Sequence, residues 1–360
     1  MTVRPTSTFF SRKLRITVVI FINILIIIWS LAGGYAYLVE ERKTDSINYI
    51  SFSPDGKKII FNRNKGELPN FIHTYNLETG ELVAYQSPSE EYWSMARYSL
   101  DGRKIVFVTV PRGKKNIEHH KAELALIDTD GKNIRRITDT SGYKAYPSFS
   151  HSGDKVIFLQ DEDIYEVEIN NPFKEDRLTW FKFLMSAPYY LPDDQTIIFS
   201  AYGTPRIFPG ISDNDYDAIK RKQEELDKRS QQALGRGDNI YIVKKGQKEL
   251  PEPLILSKDG LRQPLISASG IIFFETKAYK PDGKPEWANE YFQYSPDGHH
   301  RRITFIHEGS IHSSSISPDG KWLAIVLDEK IGKIVIYKVD DGTSRKIDLP
   351  DKPSRIINKQ

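Results

Sequence analysis

Eight histidines, at positions 73, 119, 120, 151, 299, 300, 307 and 312, are the side chains best suited to proton transfer or metal ligation near neutral pH. The adjacent pairs His119-His120 and His299-His300 do not make a metal clamp, because neighbouring residues of an extended strand point to opposite faces. His307 and His312 are more suggestive. The stretch FIHEGSIHSSSIS holds both, with Glu308 and Ser313 beside them. Together with His151 they could bind a metal or activate a nucleophile. No other signature joins them: the chain lacks an H-E-x-x-H helix, a G-x-S-x-G elbow, a phosphate loop and a dinucleotide fingerprint. Cysteine is absent, which removes disulfides, thiol chemistry, cysteine-built zinc sites and iron–sulfur clusters. The sequence therefore assigns no catalytic residue and expects no cofactor. It leaves the metal question open at His307, His312, Glu308 and His151.

Recognition chemistry is better represented. Between Phe199 and Asn239 lies a polar excursion, 205–236, whose residues predict a helix capped by Asp213 or Asn214, running to about Leu234 and ended by Gly235. Tyr216, Ile219, Leu226 and Ala233 give it one apolar stripe. Arg206, Phe208, Tyr216, Arg221 and Lys222 are candidate binding residues there, since inserted loops on a rigid scaffold commonly supply recognition. A plain surface excursion packed through its stripe fits the same residues. Trp287, in KAYKPDGKPEWANE, is an aromatic among charges that could anchor a protein or carbohydrate surface, or simply cover a neighbouring strand. Lys and Arg number 51 against 48 Asp and Glu, a formal net charge of +3. Acids at 213, 215, 217, 224, 225 and 227 interrupt the basic residues of the insertion, so nucleic acid is not an expected partner.

The elements that must hold these residues are written as a repeat. ISFSPDGKKIIF (Ile50 to Phe61), ARYSLDGRKIVF (Ala96 to Phe107), PSFSHSGDKVIF (Pro147 to Phe158) and SSISPDGKWLAI (Ser314 to Ile325) are its clear copies. PYYLPDDQTIIF (Pro188 to Phe199) and PLISASGIIFF (Pro264 to Phe274) are weaker ones. Each reads as a strand, a tight turn and a very apolar strand. The turn positions Gly56, Gly102, Gly153, Asp194, Gly270 and Gly320 lie 46, 51, 41, 76 and 50 residues apart, and the long interval contains the insertion. Periods above 40 suit a four-stranded propeller blade, so six blades are expected over residues 45–350, with the helical insertion in blade 4. A second half-repeat, LALIDTDG with IRRIT and EYFQYSPDG with RRITF, supplies third and fourth strands. Asp55, Gly56, Asp101, Gly102, Asp130, Gly131, Asp297, Gly298, Asp319 and Gly320 are accordingly expected to form turns and not to act as catalytic acids.

The combination of S-x-S/P-D-G-x-x-I-x-F, a third strand ending in D-x-D-G and R-R-I-T, with GYKAYPSFS leading into the next unit, resembles the TolB-like six-bladed propellers with WD40-like PD40 repeats. The resemblance covers about residues 45 to 350. It implies an all-β ring around a central channel, commonly used for protein recognition outside the cytoplasm. TolB itself would follow a cleaved export signal and carry a separate amino-terminal domain, whereas here the repeats begin directly after an apolar segment, so the resemblance is to the family and not to that protein.

That apolar segment is ITVVIFINILIIIWSLAGGYAYL, residues 16–38, long enough to cross a bilayer core. Arg4, Arg12, Lys13 and Arg15 precede it, which places the tail 1–15 in the cytoplasm and everything after about residue 44 on the far side of a bacterial inner or cytoplasmic membrane. A signal peptide cleaved after Ala36 is the alternative. Residues 351–360 read as a carboxy-terminal tail. The expectation is a single-pass, periplasmic or extracellular scaffold, held to the bilayer by its own helix and binding an envelope membrane protein, a protein complex or a cell-surface polymer. A metal-dependent hydrolase or lyase acting on an extracytoplasmic carbohydrate or peptide, and a small-molecule sensor, are the alternatives from other classes.

Overall fold

Local bonds fold each S-x-D-G turn back on itself. Ser53 donates its hydroxyl to Asp55 (2.6 Å), and Asp55 accepts the Lys57 N–H (3.0 Å); Ser99 with Asp101 and Ser317 with Asp319 repeat the pattern. Gly56 and Gly102 take φ near +70°, which a side chain would oppose. Asp194 stands where other units have glycine and adopts φ +50° itself. The third-to-fourth-strand turns use Asp130 and Asp297 in the same way, accepting the N–H groups of Lys132 and His299.

The computed structural model describes residues 45–360 apart from 66–70, 114–116, 183, 203–210, 213, 234–238, 252, 256, 258, 296, 298, 307–308, 328–331 and 358–360. The segments 1–15 and 16–38 lie outside the described residues, as do Gly298, Arg206, Phe208, His307 and Glu308. Among the described residues no helix is long and apolar enough to cross a membrane.

The turns connect six antiparallel sheets, each a meander. Blade 1 is Asp45–Phe52, Lys58–Lys65, Phe71–Asn76 and Leu82–Tyr85. Blade 2 is Glu91–Tyr98, Lys104–Pro111, Glu123–Asp128 and Arg135–Arg136, and blade 3 is Lys144–Phe149, Lys155–Gln160, Asp163–Glu168 and Asn171–Arg177. Blade 4 is Leu184–Tyr190, Thr196–Tyr202, Asn239–Lys244 and Pro253–Ile255. Blade 5 is Arg262–Ile266, Ile272–Tyr279, Pro285–Tyr294 and His300–Arg302, and blade 6 is Ile311–Ile316, Trp322–Leu327, Lys333–Lys338 and Ser344–Ile347. The fold is thus an all-β six-bladed propeller.

Successive side chains of a strand point to opposite faces, and the second strands exploit this. Ile60 packs towards blade 2 while Ile59 and Phe61 pack towards blade 6; Ile105 and Phe107 face blade 1 while Val106 and Val108 face blade 3. Six apolar cores result, one at every junction, including Ala324, Val326, Ile334 and Ile336 of blade 6 against Ile47, Ile50 and Phe52 of blade 1. This two-sided burial explains why KIIF, KIVF and KVIF show no polar alternation.

Blades 6 and 1 are also bonded. Ser313 and Ser315 accept the backbone N–H groups of Ile50 (2.9 Å) and Phe52 (3.2 Å) through their hydroxyl oxygens. The chain then crosses the outer rim, and Arg355–Ile357 pairs in parallel with Leu82–Tyr85 as a fifth strand of blade 1. Part of the segment expected to be a tail is therefore a strap, anchored by Ser354 N–H to Leu82 O (2.8 Å) and Gln86 N–H to Ile357 O (3.0 Å).

The insertion leaves blade 4 between its second and third strands and contains the helix Tyr216–Ala233. Its cap is Asp215, which accepts the Ala218 N–H (3.0 Å), in place of Asn214; Asp213, the other expected cap, lies outside the described residues. The helix therefore starts one to two residues later than the expected caps suggested, at Tyr216, the first residue of the apolar stripe.

Candidate functional site

Meander topology sorts the connections onto two faces. First-to-second and third-to-fourth turns share one end of every sheet, the turn face. Second-to-third loops and the links between blades share the other, the loop face. Asp45, the first residue of blade 1, lies on the loop face, because its strand ends in the Ser53 turn. The helix Tyr216–Ala233, the hairpin around Gly283, the link preceding Ile311 and the loop 112–122 all belong to the loop face as well.

The first strands line the channel. Each carries a β-bulge, and in five of them a non-glycine residue takes positive φ: Tyr49 (55°), Met95 (54°), Tyr146 (53°), Ala187 (39°) and Gln263 (43°). A bulge re-aims side chains at the cost of local strain. Here it sets two layers. Asn48, Met95, Tyr146, Gln263 and His312 border a cavity of about 220 Å³ towards the loop end, and Ser51, Ser148, Ser315 and His151 border one of about 120 Å³ at the turn end. Arg97, Tyr189 and Leu265 contribute to both. The Arg97 guanidinium donates to the Tyr189 hydroxyl (2.6 Å) with its carbon 4.5 Å from that ring's centre. Both cavities are smaller than the ~300 Å³ at which small-molecule pockets begin. A wider recess of about 500 Å³ opens on the turn face between blades 1 and 2, but Asp55 and Asp101 on its wall are already bonded within their own turns.

The described histidines of the candidate cluster, His151 and His312, do not converge. His312 donates from Nε2 to Asn48 Oδ1 near the loop end, whereas His151 sits in a turn on the opposite face, its backbone N–H bonded to Asp194 (2.6 Å). Roughly 15–20 Å of strand separates the two levels, so they cannot share a metal or a proton relay. Among the described residues no group of three His, Cys, Asp or Glu side chains is arranged to hold a metal.

Buried carboxylates fix the loop face. Glu290, fully buried in the middle of the third strand of blade 5, accepts the Thr304 hydroxyl, the Ile306 N–H (2.8 Å) and the Arg302 guanidinium (2.8 Å). Thr304 in turn accepts the Tyr291 N–H (2.9 Å). Blade 3 repeats the device: Asp163 accepts from Thr179 (3.1 Å), Phe181 N–H (3.0 Å) and Arg177 (2.6 Å). In blade 2 Glu123 accepts from Thr138, but Arg136 turns to Glu91 (2.9 Å) and the buried Lys144 approaches Glu123 at 3.5 Å. Burial pushes the Glu290, Asp163 and Glu123 carboxyls above the ordinary carboxylate range, against the lowering effect of these donors. The R-x-T of the repeat is thus the lock that ties a fourth strand and its outgoing link to the third.

The residue between the locked Thr and the next clamped N–H projects outward. It is Trp180 in blade 3 and Phe305 in blade 5, each under an arginine, with Arg177 5.9 Å and Arg302 4.4 Å from the ring centres. They join a set of exposed aromatics on the loop face: Tyr143, Trp180, Tyr202, Tyr216, Tyr279, Trp287 and Phe305. Tyr216 is 76% and Trp287 72% exposed. Among the described residues the turn face exposes Trp322, beside Leu100, Ile134 and Ile271, and Phe173 is exposed on the outermost strand of blade 3. Of the sequence candidates, Tyr216, Arg221, Lys222 and Trp287 therefore share a face, Lys222 pairing with Glu225 (2.9 Å). Tyr143, Trp180, Tyr202, Tyr279 and Phe305 were not singled out from sequence, where only their place beside links and loops could have marked them.

The sequence matches no protein-family profile and no curated protein. The fold recurs in solved structures. A prolyl endopeptidase superposes with a TM-score of 0.56 over 89% of this chain at 14% identity, and the tricorn protease with 0.55 over 86% at 17%. TolB from Acinetobacter baumannii gives 0.49 over 82% at 14% identity. The chain spans 27% of the tricorn protease and 53% of the prolyl endopeptidase, so what these matches share with it is the fold; it spans 67% of that TolB.

Proposed function

We propose that this propeller is a membrane-anchored, extracytoplasmic binding module that presents its loop face to a protein of the bacterial envelope. The unequal distribution of exposed aromatics carries the reading. Of the exposed aromatics among the described residues, seven lie at the loop face, one, Trp322, at the turn face, and one, Phe173, on the outermost strand of blade 3. Tyr and Trp are the residues that anchor protein interfaces, since each buries a large apolar body while keeping a polar group free to bond. Two of them, Trp180 and Phe305, are held in place by buried carboxylate locks, so that face is preorganised and loses less entropy on binding. The apolar run 16–38 with its basic flank supports the anchor, and tethering raises the local concentration of a partner without new contacts. The channel supports neither alternative class: its described histidines lie at opposite ends and its cavities are small.

The test is quantitative affinity capture from crosslinked native membranes. Three proteins are compared: the full chain, the same propeller on an unrelated anchor, and a chain lacking 205–236. Specific recovery that survives the anchor swap and falls on deletion supports recognition through the loop face. Recovery that depends on the anchor alone, or reproducible absence of any enriched partner from correctly localised and folded protein, defeats it.

A further inference from the structure

The channel holds a positive charge that its own walls do not neutralise. Among the described residues no Asp or Glu borders either of its two cavities, whereas Arg97 borders both. That guanidinium is half-buried, and among the described residues its hydrogen-bond acceptor is a neutral group, the Tyr189 hydroxyl (2.6 Å). Arginine cannot shed its charge by losing a proton. A cation drawn partly out of water among neutral walls therefore favours an anion beside it. At the turn end Asp194 is already engaged with the His151 and Ser152 N–H groups (2.6 and 2.8 Å).

The neutral side chains around Arg97 have their acceptors occupied. Asn48 Oδ1 takes the His312 imidazole, Gln263 Oε1 takes the Ser314 hydroxyl (2.9 Å), and the Tyr189 oxygen takes Arg97 itself. Each keeps a donor to offer: the amide N–H groups of Asn48 and Gln263, and the phenol proton of Tyr189. Burial first, and neighbouring tyrosines second, push the Tyr49 and Tyr146 phenols above their ordinary range, so both stay protonated donors. These residues come from blades 1, 3, 4 and 5, and Arg97 from blade 2, so donors stand around the channel axis and not on one wall. From this we infer that the channel binds a small tetrahedral oxyanion, phosphate or sulfate in class, through Arg97, whatever the loop face recognises. A tetrahedral ion presents oxygens in several directions at once, whereas a carboxylate presents its pair in one plane. The loop-end cavity of about 220 Å³ has room for such an ion with a few waters, though not for a ligand of drug size. The bonds it makes would tie blades on opposite sides of the ring. The wider recess on the turn face is a poorer host, since Asp55, Glu81 and Asp101 stand there beside Lys58 and Arg355.

Equilibrium dialysis of the full chain in detergent against radiolabelled inorganic phosphate, at an ionic strength held constant with sodium chloride, tests the assignment. The expected result is saturable binding of a single ion per chain, displaced by sulfate and about tenfold more weakly by acetate. Arg97→Gln should abolish it, and Arg97→Lys should weaken it about tenfold, because the planar fork is lost. Arg355→Gln removes the same charge from the turn-face recess and should leave binding unchanged. Thermal unfolding followed by tryptophan fluorescence gives a second reading: phosphate should raise the Tm of the wild-type chain and not that of Arg97→Gln. If Arg97→Gln does not fold, Tyr189→Phe keeps the ring beside Arg97, removes the hydroxyl and carries the same comparison with a several-fold loss. Binding that does not saturate, an adventitious ion only, overturns the inference. Saturable binding that Arg97→Gln retains, that Arg355→Gln also loses, or that acetate matches overturns it as well.

Discussion

Replacing Glu290 with alanine should destabilise the propeller by about 3–5 kcal/mol, the usual cost of removing one partner from a buried ion pair. The structure supplies the terms. The substitution leaves the Ile306 N–H and the Thr304 hydroxyl without their buried acceptor, at about 1–3 kcal/mol each, and deprives Arg302 of its closest carboxylate. Relief of the carboxylate's own desolvation offsets part of this, which holds the total within the range given. Glu286, 3.4 Å from Arg302, retains one ion pair. Thr304→Val should cost less, about 1–3 kcal/mol, through the orphaned Tyr291 N–H. The two changes break one shared bond, so the double variant should cost less than their sum. Urea denaturation of the full chain in detergent, followed by tryptophan fluorescence, measures all three. A loss below about 1 kcal/mol for Glu290→Ala, or strict additivity, would refute the lock. The same substitution should loosen Phe305, whose ring lies under Arg302, and so weaken capture of a partner.

Other consequences are independent of that lock. Removing residues 354–360 deletes the fifth strand of blade 1 with its bonds to Leu82 and Gln86, and should cost about 2–3 kcal/mol at roughly 1 per net bond; an unchanged urea midpoint would contradict the strap. A Cβ at Gly332 would lie 2.9 Å from the Ile47 backbone nitrogen, so Gly332→Ala should cost about 1–3 kcal/mol by overpacking the closing junction, read in the same titration. Hydroxyl donors Ser99, Ser152 and Thr196 hold the Asp101, Asp154 and Asp193 carboxyls below their ordinary value. Their folded pKa values are lowered, so their contribution is complete above pH 3.8 and is lost as pH falls below it. Changing all three to Asn should therefore cost about a few tenths of a kcal/mol each at pH 7, discounted for exposure, and almost nothing near pH 2; a difference that persists in acid would rule the mechanism out.

Much of the architecture was legible because its signals are local. A turn built from Ser, Asp and Gly within five residues leaves its mark in the sequence, and so do second strands buried on both faces. The count of six blades, the spacing and the place of the insertion followed from them. The strap did not, because pairing of Arg355 with Val83 is parallel and separated by most of the chain, so no turn announces it. The helix start shifted because Asp213, Asn214 and Asp215 are all competent caps and only geometry chooses among them. Grouping His151 with His312 failed for a topological reason: one lies in a hairpin turn and the other follows a link between blades, and alternation of strand direction sends these to opposite ends. The locks were present as R-x-T and an acid in the third strand, but the bond between them requires the strands to be paired. The clustering of aromatics on one face is likewise a property of the assembled ring, since Tyr143 and Phe305 are distant in sequence and unremarkable within their own segments.

The most direct test of recognition by the loop face is a face-by-face comparison of partner recovery from crosslinked membranes. Tyr216, Tyr279 and Trp287 are changed together to alanine in one chain, and Leu100, Ile271 and Trp322 in another, with equal expression and folding verified. The account predicts at least a tenfold loss of specific recovery for the loop-face variant, about 1.4 kcal/mol or more, and near-wild-type recovery for the turn-face variant. Equal recovery from both, or loss confined to the turn-face variant, would contradict it.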